Sequence, residues 1–103
     1  MFEFKKSHFN GFNYVFEKHL KAHDEVIVKM PPVSANKRGI NDIGWQTTEG
    51  AVVALYGTLS NDPEHTTLWQ KIDDRDEVNK TVYALKVVNG DKPCDIIIRV
   101  ILN

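Results

Sequence analysis

The sequence predicts a two-layer α+β domain, in which one long N-terminal helix packs on a mainly antiparallel sheet. Three observations lead to this prediction: one segment with helical hydrophobic spacing, several segments that alternate apolar and polar residues, and a C-terminal strand pair around an asparagine–glycine dipeptide. The chain has 103 residues, of which 42% are hydrophobic and 26% charged. These values are typical of one folded domain, and we expect residues 1–103 to form a single domain.

The first third of the chain predicts a short edge strand, the long helix and a second strand. Residues 2–5 alternate phenylalanine with charged residues, as edge strands do. Residues 7–23 carry one apolar stripe at helical spacing. The stripe consists of Phe9, Phe12, Phe16 and Leu20. Residues 25–30 alternate again, and the two prolines that follow would end this strand.

The middle of the chain predicts a long loop, a hairpin and a second helix. Residues 31–44 show no clear period and form a loop of about fourteen residues. Residues 43–47 and 51–59 predict a hairpin. Residues 60–72 resemble a capped helix start followed by helical spacing. If residues 64–72 are extended instead, the fold becomes one helix on an antiparallel meander.

The C-terminal part predicts a second hairpin. Asn89 and Gly90 form the dipeptide favoured in two-residue type I′ turns, and apolar strand patterns lie on both sides of it. In the resulting register Leu85 faces Cys94, and Tyr83 also points to the core. The predicted order of elements is ferredoxin-like, with the final strand as an addition.

Residue types that carry catalysis or bind metals are present, but they form no known constellation. His19 and His23 stand four apart, as two metal ligands on a helix do, but no third ligand follows at a matching spacing. Cys94 is expected to be a small buried residue, and a single cysteine forms no intramolecular disulfide. We therefore predict no catalytic residue, no metal and no cofactor, and an enzyme is the less favoured hypothesis.

Charge is nearly balanced in total but is unevenly distributed. Thirteen basic and fourteen acidic residues leave a net charge of -1, which disfavours a general nucleic-acid binder. Residues 1–38 hold seven basic and four acidic residues, whereas residues 39–103 hold six and ten. The densest acidic run consists of Asp73, Asp74, Asp76 and Glu77. Such a run can steer and dock a basic partner.

These features predict a small cytoplasmic protein-binding module that sterically occupies its partner, as an immunity protein, an enzyme inhibitor or a phage-type accessory factor does. The acidic run would contact a basic protein, Trp45 would be an apolar anchor, and Lys37 and Arg38 would present a basic pair on the long loop. No apolar stretch is long enough to cross a bilayer, and no signal-peptide pattern is present. A homodimer through the outer face of the last hairpin is a further option.

One segment resembles part of a known family. Residues 65–70, HTTLWQ, together with residues 82–83, resemble the later half of RelE-fold mRNA-interferase toxins of the motility-quorum-sensing-regulator kind. The resemblance covers about twenty residues and implies RNA cleavage assisted by Gln70 and Tyr83. RNA binding or cleavage is therefore one alternative function. A small-molecule enzyme or ligand carrier, with a pocket between helix and sheet, is another.

Overall fold

The computed structural model shows a mainly β fold with two sheets. The structure describes residues 1–11, 13–31, 41–72 and 82–102. A short 3-10 turn at Lys6–His8 lies between the first two strands. In chain order the strands are β1 (Phe2–Glu3), β2 (Tyr14–Leu20), β3 (Glu25–Lys29), β4 (Asn41–Thr47), β5 (Val53–Thr58), β6 (Gln70–Ile72), β7 (Ala84–Asn89) and β8 (Cys94–Leu102).

The strands form a large and a small sheet. Among the described residues, the large sheet has five strands in the order β1-β3-β7-β5-β6, and the small sheet has three in the order β2-β8-β4. All pairs are antiparallel except β1 with β3. The predicted edge strand near the N-terminus and the predicted strand at residues 25–30 are confirmed as β1 and β3. Buried apolar side chains of both sheets form one cluster, so the sheets pack face to face.

The core is centred on the inner faces of β7 and β8. Leu85 and Val87 of β7, and Ile96, Ile98 and Val100 of β8, are each at most 1% exposed. β7 lies between β3 and β5, and β8 lies between β2 and β4. Each of these two strands is therefore covered by neighbours on both edges, and its alternate side chains are covered by the opposite sheet.

The predicted N-terminal helix over residues 7–23 is wrong. Its central part, Tyr14–Leu20, forms β2, and the described residues contain no α-helix. Phe16 and Leu20 are buried, because residues four apart share one side of a strand as well as one side of a helix. They pair with Ile98 and Cys94, and this long-range pairing overrides the helical pattern. The fold is therefore not α+β, and the ferredoxin-like order does not apply.

No described helix is of the length and apolar character that a membrane crossing requires.

The second predicted helix, over residues 60–72, is also wrong. Its capping chemistry is present, because Ser60 Oγ accepts the N–H of Asp62 at 3.1 Å. The Asp62 carbonyl in turn accepts the N–H groups of His65 and Thr66. The chain then leaves this turn and reaches β6, which pairs with β5. A single hydrogen-bonded turn forms here without extending into a helix.

Both predicted hairpins are wrong, although their strands are present. β4 and β5 lie in different sheets, and so do β7 and β8. Neither Asn89 nor Gly90 has the positive φ that a type I′ turn requires. Tyr83, predicted to point to the core, is 50% exposed. The dipeptide marks a corner at which the chain passes from the large sheet to the small one.

The buried side chain of Asn89, which is 4% exposed, organises this corner. Its Nδ2 donates to the carbonyls of Lys21 and Lys92, both at 2.9 Å. Its Oδ1 accepts the N–H of Gly90 at 2.9 Å and the thiol of Cys94 at 3.3 Å. One amide thus joins the start of β8 to the turn between β2 and β3.

Gly90 is required at the corner by a close backbone approach. Its N–H donates to the carbonyl of Val52 at 3.0 Å, and its own carbonyl accepts the N–H of His23 at 2.7 Å. A Cβ atom at position 90 would lie 2.9 Å from the Val52 carbonyl oxygen. A side chain would therefore push apart two segments that hydrogen bonds hold together.

We expect Asn89→Ala to lower the free energy of unfolding by about 2–3 kcal/mol, because the truncation removes four hydrogen bonds of a buried amide and takes from the Lys92 carbonyl and the buried Cys94 thiol the partner that Asn89 provides. Urea denaturation measures this change. The matched control is Asn61→Ala, since Asn61 is exposed and its loss should change stability by no more than about 0.5 kcal/mol. Equal stability of the two variants would contradict the role assigned to Asn89.

Candidate binding groove

The residues predicted to contact a partner are only partly within the described chain. Trp45 lies in β4 of the small sheet, where it is half-buried and packs against the core. It borders a shallow cavity of about 600 Å³ that Asp95 and Ile97 also line. The others lie outside the described residues: Lys37, Arg38, Asp73, Asp74, Asp76 and Glu77. Their contacts stay predictions, and the geometry tests only the position of Trp45.

A second cavity, an apolar groove of about 660 Å³, opens beside β5 and β6 of the large sheet. Its lining residues are Gly57, Thr58, Leu59, Ser60, Leu68, Trp69, Gln70, Lys71, Ile72 and Val82. Leu59 is 66% exposed and Leu68 is 76% exposed. Two large apolar side chains thus stand in water at the rim of one groove.

The floor of the groove belongs to the inner face of the large sheet. Leu55 points into the core. Gly57 lies two residues later in the same strand, and Ile72 is the cross-strand partner of Leu55, so both lie on the same face of the sheet as Leu55. A Cβ atom at Gly57 would lie 3.2 Å from Ile72 Cδ1 and 3.2 Å from Val82 Cγ1. Because position 57 has no side chain, these two branched side chains close over the strand and make the floor apolar.

The loop between β5 and β6 forms one wall, and local contacts hold it in place. Thr66 Oγ1 accepts the N–H of Leu68 at 3.0 Å, and the Thr66 carbonyl accepts Nε1 of Trp69 at 3.2 Å. The Lys86 ammonium lies 4.7 Å from the Trp69 ring centroid and 5.7 Å from that of Tyr56. Such cation–π contacts contribute about 0.5–1 kcal/mol at exposed sites. Leu68 is therefore presented to solvent by a structured loop.

An aspartate–histidine pair lies in the turn that begins this loop. Nδ1 of His65 is 2.9 Å from Oδ1 of Asp62. The hydrogen bond to Asp62, together with the negative charge of that carboxylate, raises the pKa of His65 above its ordinary value. Both side chains are exposed, so the pair is accessible to solvent throughout its titration.

The two residues implicated by the resemblance to mRNA interferases lie on either side of β5. Gln70 lines the groove and pairs with Gly57 in the sheet. On the other side, the N–H of Tyr83 donates to the carbonyl of Thr58 at 2.9 Å. Both residues are exposed or half-exposed, and RNA cleavage by them stays a prediction.

The predicted geometry of a histidine pair on one helix is absent. His19 lies in β2 and its Nδ1 pairs with Asp95 Oδ1 at 2.8 Å, whereas His23 lies in the turn that follows the strand. Within the described ranges no three histidine, cysteine, aspartate or glutamate side chains could hold a metal ion together.

Cys94 is buried at the corner beneath Asn89. Burial raises the pKa of its thiol, and the charge of the neighbouring Asp95 adds to this rise. A thiol with a raised pKa is protonated at neutral pH and is a poor nucleophile. Its position agrees with the small buried residue that the sequence predicts.

Sequence reasoning missed the groove because it assigned both rim leucines to regular elements. Leu68 belongs to the helical spacing of the second predicted helix over residues 60–72, and Leu59 ends the predicted strand over residues 51–59. The available signal was that polar turn residues flank both, since Ser60 follows Leu59 and Thr67 precedes Leu68.

Comparison of the chain with protein families, characterised proteins and solved structures found no match.

We expect Asp62→Asn to lower the pKa of His65, because the variant lacks the carboxylate that stabilises the imidazolium. The pair stabilises the folded protein fully at pH values below the pKa that His65 has in the unfolded chain. This stabilisation is lost as the pH rises through the higher pKa that His65 has in the folded protein. NMR titration of the His65 ring protons across about pH 5 to 8 measures the change. Asn61→Ala is the control and should leave the titration as it is; coincident curves for Asp62→Asn and the unmodified protein would contradict the expectation.

Proposed function

We propose that this protein is a small protein-binding module that takes up an apolar part of a partner in the groove beside β5 and β6. The observation that carries the proposal is the exposure of Leu59 and Leu68, 66% and 76%, at the rim of one groove. Single exposed leucines are common, but clustered ones beside a concave apolar surface mark interaction sites.

Burial of apolar surface would supply the binding energy. One leucine or phenylalanine side chain of a partner, fully buried on the floor formed by Gly57, Ile72 and Val82, contributes about 1.5–3 kcal/mol. The wall is already ordered by the hydrogen bonds of Thr66, which reduces the entropy lost on binding. Occupying the partner's surface in this way blocks it sterically.

The acidic run of residues 73–77 is proposed to add electrostatic attraction. Asp73 directly follows Ile72 in the sequence, and Ile72 lines the groove. A partner that combines an apolar side chain with nearby lysine or arginine would satisfy both features. Association with such a partner should be faster at low ionic strength.

We expect Leu59→Asp and Leu68→Asp each to weaken binding about tenfold or more, which corresponds to about 1.4 kcal/mol or more. The probes are peptides selected from a phage-displayed library against the unmodified protein, and titration calorimetry measures their affinities. Val52→Asp is the matched control, since Val52 is 78% exposed and does not line the groove. An aspartate there should leave the affinities unchanged.

Enrichment of no peptide, or equal loss in all three variants, would refute the groove as the binding site. The RNA alternative is checked on the same proteins by filter binding at low salt. If the unmodified protein retains RNA on the filter and the Leu68→Asp variant does not, the ligand of the groove is RNA and not a protein.

Replacing the four acidic residues of the run by asparagine or serine is expected to lower the affinity for peptides that carry basic residues. It should also flatten the dependence of that affinity on salt, because fewer charges are paired in the complex. Titrations at a low and a high salt concentration measure both effects. Unchanged affinity at both would remove the run from the binding surface.

A further inference from the structure

We infer that the open edge of β2 binds an extended strand of a partner protein, which it selects by charge. β2 pairs with β8 on one side, and no described strand pairs with it on the other. It has seven residues, whereas the edge strands of the large sheet, β1 and β6, have two and three. Within the described residues the small sheet therefore ends on this side in a strand long enough to be extended, as it does on the other side in β4, which also has seven residues.

The hydrogen bonds of β8 determine which groups of β2 face the open edge. The N–H of Thr48 donates to the carbonyl of Asp95 at 3.1 Å, and the N–H of Asp95 donates back to Thr48 Oγ1 at 2.9 Å. The backbone of Asp95, and of every second residue after it, therefore points to β4. The intervening residues of β8 point to β2, where their partners are Phe16, Lys18 and Leu20. Glu17 and His19 must then turn their N–H and C=O groups to the open edge.

The open stretch has clear ends. Near Tyr14 the preceding chain folds back, since Phe9 bridges Tyr14 and the N–H of Asn10 donates to the Asn13 carbonyl at 3.1 Å. Beyond Leu20 the backbone of Lys21 is already used, because its N–H donates to Asp24 Oδ2. Between these ends, only another extended backbone offers donors and acceptors at the spacing of Glu17 and His19.

The side chains of the open stretch disfavour a second copy of this chain. Glu17 and Lys18 are exposed and lie on opposite faces of the sheet. A register that sets His19 against His19 of the copy would place Glu17 opposite Lys21, whose N–H already donates to Asp24 Oδ2, and it is therefore excluded. The other antiparallel registers of the open groups set Glu17 against Glu17 of the copy, or set Glu17 against His19 of the copy. The second register places Lys18 directly against Lys18 of the copy. Like charges in direct opposition are destabilising, so each register has a repulsive central pair.

A partner strand of the right charge pattern removes this repulsion. It would place an acidic side chain opposite Lys18 and a basic one opposite Glu17, in adjacent positions of its sequence. Backbone hydrogen bonds would give affinity without regard to sequence, and the two charges would give the choice of partner. Charged residues on an edge strand prevent unselective pairing with other strands. On β2 they favour a partner strand that carries the acidic and basic residues described above.

The test uses a synthetic peptide of alternating valine and threonine, with one glutamate and one lysine in adjacent central positions. Binding is expected to slow amide exchange at Glu17 and His19 at least about tenfold, as newly hydrogen-bonded amides require. N-methylation of the peptide residues that face β2 should abolish this protection. N-methylation of the alternate residues should preserve it, and equal effects of the two would overturn the inference.

Charge selection is tested with the double variant Glu17→Lys, Lys18→Glu and a peptide whose glutamate and lysine are exchanged. The variant is expected to prefer the exchanged peptide, and an unchanged preference would overturn the inference. Replacing Glu17 and Lys18 by threonine should allow self-association in sedimentation experiments, because both repulsive pairs are then lost. Leu68 lies in the loop between β5 and β6 of the other sheet, so Leu68→Asp is expected to leave edge binding intact, and failure of the groove and failure of the edge are distinguishable.

Discussion

The side-chain amide of Asn89 lies where three stretches of chain meet: the turn after β2, the end of β7 and the start of β8. A buried amide is costly unless its donors and acceptor are all used, so this corner has one favourable arrangement. The thiol of Cys94 bonds the same amide, which directs the first side chain of β8 inward. Alternation then sends Ile96, Ile98 and Val100 into the core. This one side chain thus connects the end of the large sheet's β7 to two segments of the small sheet, the turn after β2 and the start of β8.

Local patterns in the sequence predicted where several strands lie but not which strands pair. Residues 25–30 alternate, residues 94–102 are mostly apolar, and these segments contain β3 and β8. The predicted hairpins are wrong because the chemistry of a turn depends only on neighbouring residues. A corner between two sheets also depends on contacts with residues distant in the sequence, such as Val52. The predicted N-terminal helix is wrong because the spacing of Phe16 and Leu20 fits a strand as well as a helix. Pairing with β8 makes this segment a strand.

The candidate surfaces were less predictable than the strands. Trp45 is predicted as an anchor and is half-buried against the core, whereas Leu68, which belongs to the helical spacing of the predicted second helix, is exposed. Both surfaces reflect the unequal size of the sheets, which have five and three strands in the part of the chain that the structure describes. The larger sheet carries an apolar inner face out to Ile72, where the groove lies. On the outer side of β2, where the proposed partner strand would bind, no strand of the described residues pairs with the smaller sheet. No single-residue pattern reveals such an inequality, because it arises from the strand order.

The central place of β8 in the small sheet also orders events in time. β2 and β4 precede it in the chain, and each has β8 as its neighbour in that sheet. During synthesis both strands emerge before the strand that joins them, so the small sheet forms only after residues 94–102 leave the ribosome. Closing such long loops is slow, on the order of milliseconds to seconds for β domains. Until then Phe16 and Ile43 have no sheet to bury them, and a holding chaperone would find its binding sites in these two strands.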